Sequence, residues 1–129
     1  MKPQRSASVL LSFKYASAGI LHTIRSQRNF RIHLVATTLV VAVGAWLGLS
    51  LEAWAILSLI VGLVLVTEIV NTAAETLVDL ASPDYHPLAK QVKDLVAGAV
   101  LVVAVVSVIV GLLILGPPLL AKLGWLPPS

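Results

Sequence analysis

Three long apolar stretches constrain the fold more than any other feature of this 129-residue sequence. They cover residues 32–49, 53–71 and 95–116, and each is close to the roughly 20 apolar residues with which a helix crosses a bilayer. The chain is 58% hydrophobic and 12% charged, whereas a typical soluble domain is about 25% charged. We therefore predict an all-α integral membrane protein, with a single membrane domain over residues 1–129 and three transmembrane helices.

The ends of two spans can be predicted from the residues beside them. Only residues 50–52 separate the first span from the second, so these two helices are expected to form a tight hairpin. Trp46 and Trp54 flank this turn and suit the membrane interface. The third span is expected to end before Pro117 and Pro118, because proline lacks the N–H that continues a helix.

Basic residues predict the orientation of the chain in the membrane. Six of the nine Lys and Arg residues precede the first span, and Lys90 and Lys93 lie in residues 72–94, which we predict to form a helical extension and a loop. The hairpin turn has no basic residue, and the tail has only Lys122. Because basic segments stay inside, the N-terminus and residues 72–94 are predicted to be cytoplasmic and the C-terminus external. The basic start favours anionic lipid as a neighbour, and no base-reading element suggests nucleic acid.

Residues 8–26 carry one apolar stripe at helical spacing. Its members recur every three or four residues: Val9, Phe13, Ala16, Ile20 and Ile24. This pattern predicts an N-terminal amphipathic helix on the cytoplasmic membrane surface. An anchor that only adheres to lipid is the simpler interpretation of the same pattern.

Four polar residues at the end of the second span share one face of a helix: Glu68, Asn71, Glu75 and Asp79. They fall within about 80° of one another around the helix axis. Stacked carboxylates repel, so a helix that keeps them is expected to hold a cation, and hard oxygen ligands favour Mg²⁺. The alternative is a solvated helix end whose acids pair with one or more of four basic residues: Arg25, Arg28, Lys90 and Lys93. For Glu68 a function is favoured, because an acid at membrane depth is costly.

The segment SPDYHPLAKQVKD follows this helix. Pro83 and Pro87 bracket a turn, and Lys90 and Lys93 come next, where they can neutralise phosphate oxygens. Carboxylates for a metal, lysines for phosphates and an aromatic residue on a loop together suit a metal–nucleotide complex. The chain has neither a Walker A sequence nor a glycine-rich kinase loop, so the common phosphoryl-transfer scaffolds do not apply.

Three sequence pieces in this order carry a family resemblance: RNFRIH before the first span, EIVNTAAE at the end of the second, and DYHPLAKQVKDLVAGAV leading into the third. Together they resemble the prokaryotic diacylglycerol kinase family, which includes the undecaprenol kinases of Gram-positive and related bacteria. The resemblance covers about residues 8 to 112. The HPLAK and RNFRIH forms are more similar to the undecaprenol branch.

This resemblance implies a homotrimer in the bacterial cytoplasmic membrane, with active sites between subunits at the cytoplasmic face. It implies transfer of the γ-phosphate of ATP, with Mg²⁺, to a lipid alcohol, for which undecaprenol is expected and diacylglycerol is the alternative. Glu68 matches the catalytic base that meets the lipid, Asn71 the neighbouring motif asparagine and Glu75 a metal ligand. The positions that match nucleotide contacts, besides Glu75, are Tyr15, Asp84, Tyr85, His86, Lys93 and Asp94.

Two positions depart from the family pattern. Gln27 stands where most members have a glutamate, which we expect to share metal binding with Glu75 and to lie near the nucleotide. A glutamine keeps a carbonyl oxygen but loses the charge, so its hold on Mg²⁺ should be weaker. Ala97 stands where the diacylglycerol branch has a serine, which favours a different lipid substrate.

Two other classes of protein compete with the enzyme interpretation. In a small proton-coupled transporter, one membrane carboxylate would carry protons, but small multidrug exporters have four spans and an acid near the middle of the first. A non-catalytic membrane scaffold would have no need of the polar stripe. The clustering of the acids at one interface, with lysines opposite, favours the enzyme.

Overall fold

In the computed structural model, which describes residues 9–125 and residue 127, the chain forms four α-helices over the described residues. They are α1 (Val9–Ser26), α2 (Arg28–Leu47), α3 (Leu51–Ala81) and α4 (Pro87–Lys122). The basic residues Lys2 and Arg5, and residue 8 of the predicted surface helix, lie outside the described residues.

Three helices in the described part of the chain, α2, α3 and α4, are long and apolar enough to cross a membrane. This is the number and the order that the apolar stretches predict. α3 has 31 residues and continues past the second apolar stretch as one helix that ends at Ala81. α4 has 36 residues and begins before the third apolar stretch, which confines the loop between α3 and α4 to residues 82–86.

The turn between α2 and α3 is defined by a glycine and a serine. Gly48 has φ +69°, a left-handed conformation that suits glycine, and its N–H bonds back to the carbonyl of Gly44 to end α2. Ser50 then caps α3, since its Oγ accepts from the N–H of Ala53 at 3.2 Å. A Cβ on Gly44 would lie 2.9 Å from the Trp54 ring, so α2 and α3 approach closely here because residue 44 has no side chain.

The loop between α3 and α4 has its own stop and start signals. α3 ends at Ala81, and Ser82 precedes Pro83, which disfavours helical dihedrals in the residue before it. His86 caps α4 because its Nδ1 accepts from the N–H of Leu88 at 3.2 Å. Pro87 occupies the first turn of α4, where a missing N–H costs no helical hydrogen bond.

Contrary to what the prolines predict, the helix of the third span does not end before Pro117. Pro117 and Pro118 lie inside α4, which continues to Lys122 instead of ending at Gly116. A proline removes one backbone donor, but its φ is compatible with a helix. Within a membrane, neighbouring groups can satisfy the carbonyls that two prolines release, so such residues are tolerated.

The hairpin turn and the C-terminal end of α4 lie at the same end of the bundle. Lys122 on α4 donates from Nζ to the carbonyl oxygen of Trp46 at 2.7 Å, and its ammonium group lies 4.6 Å from the centroid of the Trp46 ring. We call this the hairpin end. The opposite end, with residues 82–86 and the start of α2, is the loop end. The turn between α2 and α3 and the C-terminal end of α4 thus share one end of the bundle, which agrees with the predicted topology.

The core of this bundle is small. Six residues with side chains are buried in the described part of the chain: Thr23, Phe30, Leu57, Val64, Glu68 and Thr72. α4 packs mainly against α3 and has no buried residue of its own among those described. Most of its apolar surface is therefore available to lipid or to another chain.

The N-terminal segment is helical, as the apolar stripe predicts. Its junction with α2 is tight, because Arg31 donates from Nη1 to the carbonyl oxygens of Ile24 and Arg25, at 3.3 and 3.1 Å, at the end of α1. A cation suits the negative end of a helix dipole. Val9 and Phe13 are 74% and 68% exposed in the chain by itself. Contact of this stripe with a membrane surface stays a prediction.

Candidate active site

The polar stripe on α3 meets two different helices. Because α3 runs unbroken from Leu51 to Ala81, Glu68 and Asp79 are held on one rigid element about 16 Å apart along the helix axis. Glu68 contacts α2, and Asp79 contacts α4 close to the loop end. The stripe therefore extends from the interior of the bundle to the loop end.

Glu68 is the most enclosed member of the stripe, with 2% of the residue exposed. Its Oε1 lies 3.2 Å from Nε2 of His33 on α2, whose side chain is 22% exposed. A buried carboxylate needs such a partner, since an unpaired one costs several kcal/mol. Sequence reasoning missed His33. It stands in the RNFRIH piece, but 35 positions separate it from Glu68 and no helical spacing connects them.

Asn71 and Glu75 form the middle of the stripe. Nδ2 of Asn71 donates to Oε1 of Glu75 at 3.3 Å, one helical turn away. Within the part of the chain that the structure describes, the Oδ1 of Asn71 is buried and has no hydrogen-bond partner. Such an atom is usually paired with a donor, a water or an ion. A free amide oxygen beside a carboxylate thus fits a hard cation.

The same residues limit how much of a metal site this chain can supply. The described residues contain no group of three His, Cys, Asp or Glu side chains able to hold a metal. Glu75, with the Oδ1 of Asn71 nearby, would provide only part of a coordination shell. Mg²⁺ commonly binds through one or two protein carboxylates together with substrate phosphates and water, so this incomplete set fits Mg²⁺ carried by a nucleotide.

The lysines at the start of α4 are paired with carboxylates. Nζ of Lys93 contacts Oδ1 of Asp79 across the α3–α4 interface, and Nζ of Lys90 contacts Oδ2 of Asp94 one turn along α4. For Asp79, the interpretation of an ion-paired helix end is therefore confirmed. Asp79 and both residues of the Lys90 pair have mostly exposed side chains, so these contacts are screened by water and each stabilises the fold by at most about 1 kcal/mol.

A cleft of about 240 Å³, which we call the loop-end cleft, opens between the end of α3, the loop and the start of α4. Its lining includes Asp79, Asp84, Tyr85, His86, Lys90 and Lys93. Four of these had been predicted to contact a nucleotide: Asp84, Tyr85, His86 and Lys93. Tyr85 is 81% exposed, so its ring is free to contact a ligand from the cleft rim. The structure thus brings half of the predicted nucleotide residues to one place.

The other predicted residues lie elsewhere. Asp94, Glu75, Gln27 and Tyr15 are not among the residues that line this cleft in the described chain. Tyr15 is 64% exposed on α1. Gln27 precedes α2 at the N-cap position, and its side chain makes no capping hydrogen bond. Ala97 is exposed on α4.

The described part of the chain combines three helices of membrane length with carboxylates, an amide and lysines toward one end. This combination is typical of a membrane enzyme that binds a charged substrate. The family model for prokaryotic diacylglycerol kinase matches residues 14–115, and the chain belongs to this family.

Several named relatives are similar over most of the chain. A diacylglycerol kinase from Synechocystis sp. is 45% identical over 119 residues, which cover 92% of this chain and 68% of the relative. An undecaprenol kinase from Bacillus subtilis is 46% identical over 108 residues, covering 84% and 88%. A diacylglycerol kinase from Escherichia coli K12 is 34% identical over 95 residues, covering 74% and 78%.

These similarities confirm the predicted family and, with it, the enzyme class, a lipid kinase. They do not separate the two predicted substrates. The first two relatives carry different substrate names at almost the same identity.

Proposed function

We propose that this protein transfers the γ-phosphate of ATP to a membrane lipid alcohol, and that undecaprenol is its substrate, with diacylglycerol as the alternative. The RNFRIH and HPLAK forms and the alanine at position 97 support undecaprenol. A relative named undecaprenol kinase, 46% identical over 108 residues, supports it too. One observation carries the proposal. The enclosed Glu68, the Asn71–Glu75 pair and one wall of the loop-end cleft all lie on α3.

Glu68 is the proposed general base. It accepts the proton of the lipid hydroxyl while the hydroxyl oxygen bonds to the γ-phosphorus, and the bond from that phosphorus to the β–γ bridging oxygen breaks to release ADP. General base catalysis of this kind contributes roughly 10²–10⁴-fold to a rate. Only 3% of the Glu68 side chain is exposed in the chain by itself, so the approach of a lipid hydroxyl to the carboxylate is narrowly restricted.

Glu75 and Asn71 are the proposed protein groups facing the metal. Glu75 supplies a carboxylate, and the unpaired Oδ1 of Asn71 supplies a neutral oxygen beside it. When bound with ATP, Mg²⁺ would neutralise phosphate charge. Gln27 is proposed to contribute a carbonyl oxygen only, which makes the metal more dependent on Glu75 and on ATP.

The loop-end cleft is the proposed nucleotide site. Lys93 is paired with Asp79 in the free chain, and we propose that it exchanges this partner for phosphate oxygens when ATP binds. The exchange costs little free energy because the Asp79 side chain is 66% exposed and water already screens the ion pair. Tyr85 would then stack on the base, and Tyr15 and Asp94 would contact the nucleotide from outside the cleft.

The proposed setting is the bacterial cytoplasmic membrane, with the loop end in the cytoplasm, and the proposed assembly is a homotrimer. The last spanning helix, α4, supports self-association. It has no buried residues among those described, so its apolar surface is available to lipid or to another chain.

A lipid panel tests the proposal. The purified protein in lipid nanodiscs is given radiolabelled ATP, Mg²⁺ and one alcohol at a time: undecaprenol, a shorter polyprenol, or diacylglycerol. Labelled undecaprenyl phosphate formed at the highest kcat/KM is the expected result. Preferred phosphorylation of diacylglycerol would replace the substrate, and no labelled lipid at any Mg²⁺ concentration would overturn the kinase proposal.

A further inference from the structure

His33 contacts Glu68, the proposed general base. Its Nε2 is 3.2 Å from Oε1 of Glu68, and the Glu68 side chain is only 3% exposed. An ionised carboxylate can only accept hydrogen bonds, so beside an ionised Glu68 the imidazole donates from Nε2 in the tautomer that carries a proton there. This contact joins α2 to α3.

The contact makes the two oxygens of Glu68 different from each other. Oε1 is engaged by the imidazole, and Oε2 is the oxygen left to accept a proton. A base that is oriented by a neighbouring group is a common arrangement in enzymes. Without a donor at Nε2, the carboxylate would be free to rotate in a buried space and would lose its hydrogen-bond partner, which is unfavourable for a buried charged group.

The surroundings of His33 favour this role. The ring lines a narrow cleft of about 80 Å³ between α2, α3 and α4, together with apolar residues that include Val40, Leu57 and Val64. An apolar environment strengthens a hydrogen bond between the imidazole and a carboxylate.

We propose that His33 is a positioning residue for Glu68. Its Nε2–H holds Oε1 and so leaves Oε2 to take the proton of the lipid hydroxyl. His33 keeps its own proton throughout: the lipid proton goes to Oε2, the lipid oxygen bonds to the γ-phosphorus, and ADP leaves with the electron pair of the broken P–O bond. This inference rests on the proposed function, since it needs a lipid alcohol as the proton donor.

Two substitutions in the full-length protein separate positioning from proton relay. His33→Phe fills a similar space without a donor, whereas the side-chain amide of His33→Gln can still donate to Oε1 but cannot pass a proton on. We expect His33→Phe to lower kcat about 100-fold, with KM for ATP and for lipid unchanged within about threefold. His33→Gln should restore kcat to within about tenfold of wild type.

The matched control is Thr38→Val on the same helix, because the exposed Thr38 hydroxyl only bonds to the carbonyl of Leu34. This variant should keep wild-type kinetics. A His33→Phe enzyme with unchanged kcat would overturn the proposal. A His33→Gln enzyme as slow as His33→Phe would also overturn it, because the second ring nitrogen would then be needed.

A spectroscopic measurement tests the contact without turnover. In protein labelled with ¹⁵N-histidine, the signals that disappear in His33→Gln belong to His33. Glu68→Gln should shift the Nε2 signal of His33, and Glu75→Gln should leave it in place; an unmoved signal in Glu68→Gln overturns the proposal. A wild-type protein that phosphorylates no alcohol defeats the proposed function itself, whereas an active enzyme with an unimpaired His33→Phe variant defeats only the role of His33.

Discussion

Lys93 on α4 and Asp79 on α3 form an ion pair across the rim of the loop-end cleft. The lysine predicted to neutralise a phosphate is therefore held by a carboxylate in the free chain. Because both side chains are more than one-third exposed, the pair is easily exchanged.

Separate substitutions of these two residues should change KM for ATP in opposite directions. Lys93→Met removes the cation and should raise KM for ATP and lower kcat, each by about tenfold or more. Asp79→Asn removes a negative charge beside the phosphates and should lower KM for ATP. Its free energy of unfolding should change by less than about 1 kcal/mol. Steady-state kinetics over a range of ATP concentrations measures both, and a higher KM in Asp79→Asn would contradict the exchange of partners.

Glu68→Gln should abolish turnover while keeping the fold. The amide cannot accept the proton of the lipid hydroxyl, so kcat should fall at least about 100-fold. Its oxygen can still accept from Nε2 of His33, so the buried contact survives and the thermal unfolding temperature should change little. Nucleotide binding measured by calorimetry should persist. Turnover near that of wild type would show that another group is the base.

Glu75→Gln should raise the Mg²⁺ concentration needed for half-maximal activity by about tenfold. The substitution keeps the hydrogen-bonding partner of Asn71 but removes the charge that attracts the cation. Activity titrated with Mg²⁺ at saturating ATP provides the measurement. The control is Glu52→Gln, which changes an exposed carboxylate in the first turn of α3, at the hairpin end. An equal shift in both variants would point to net charge and not to a local metal contact.

Gln27→Glu should lower the Mg²⁺ requirement, by about threefold. Gln27 precedes α2 and its side chain makes no capping hydrogen bond, so a carboxylate at this position disturbs no bond of the helix start. An unchanged Mg²⁺ titration would mean that residue 27 does not reach the metal. Gln91→Glu adds the same charge at an exposed position of α4 and serves as the control.

Gly44→Ala should destabilise the hairpin. The new Cβ would lie 2.9 Å from the ring of Trp54, so the two helices must separate slightly, at a cost of about 1–3 kcal/mol. Gly62→Ala on α3 is the matched control, because its Cβ meets nothing within 4 Å. That variant should gain about 0.5–1 kcal/mol from helix propensity. Thermal unfolding in detergent compares the two, and equal unfolding temperatures would contradict the close contact.

The sequence by itself determined the helices and their order. Apolar runs of membrane length predict three spanning helices, and the apolar stripe predicts the helical segment before them, because helix formation depends on neighbouring residues. The polar face of α3 could also be predicted, since Glu68, Asn71 and Glu75 repeat at helical spacing. The extent of α4 was predicted less well: it begins at Pro87, before the third apolar stretch, and it continues through Pro117 and Pro118.

Only the tertiary structure decided which residues of different helices meet. The contact of His33 with Glu68 joins positions 35 apart, and that of Lys93 with Asp79 joins positions 14 apart across a loop. No periodicity encodes these pairs, because they depend on how α2, α3 and α4 pack and on where each helix begins. Sequence spacing therefore placed the acids on one face, and helix packing assigned a different partner to each.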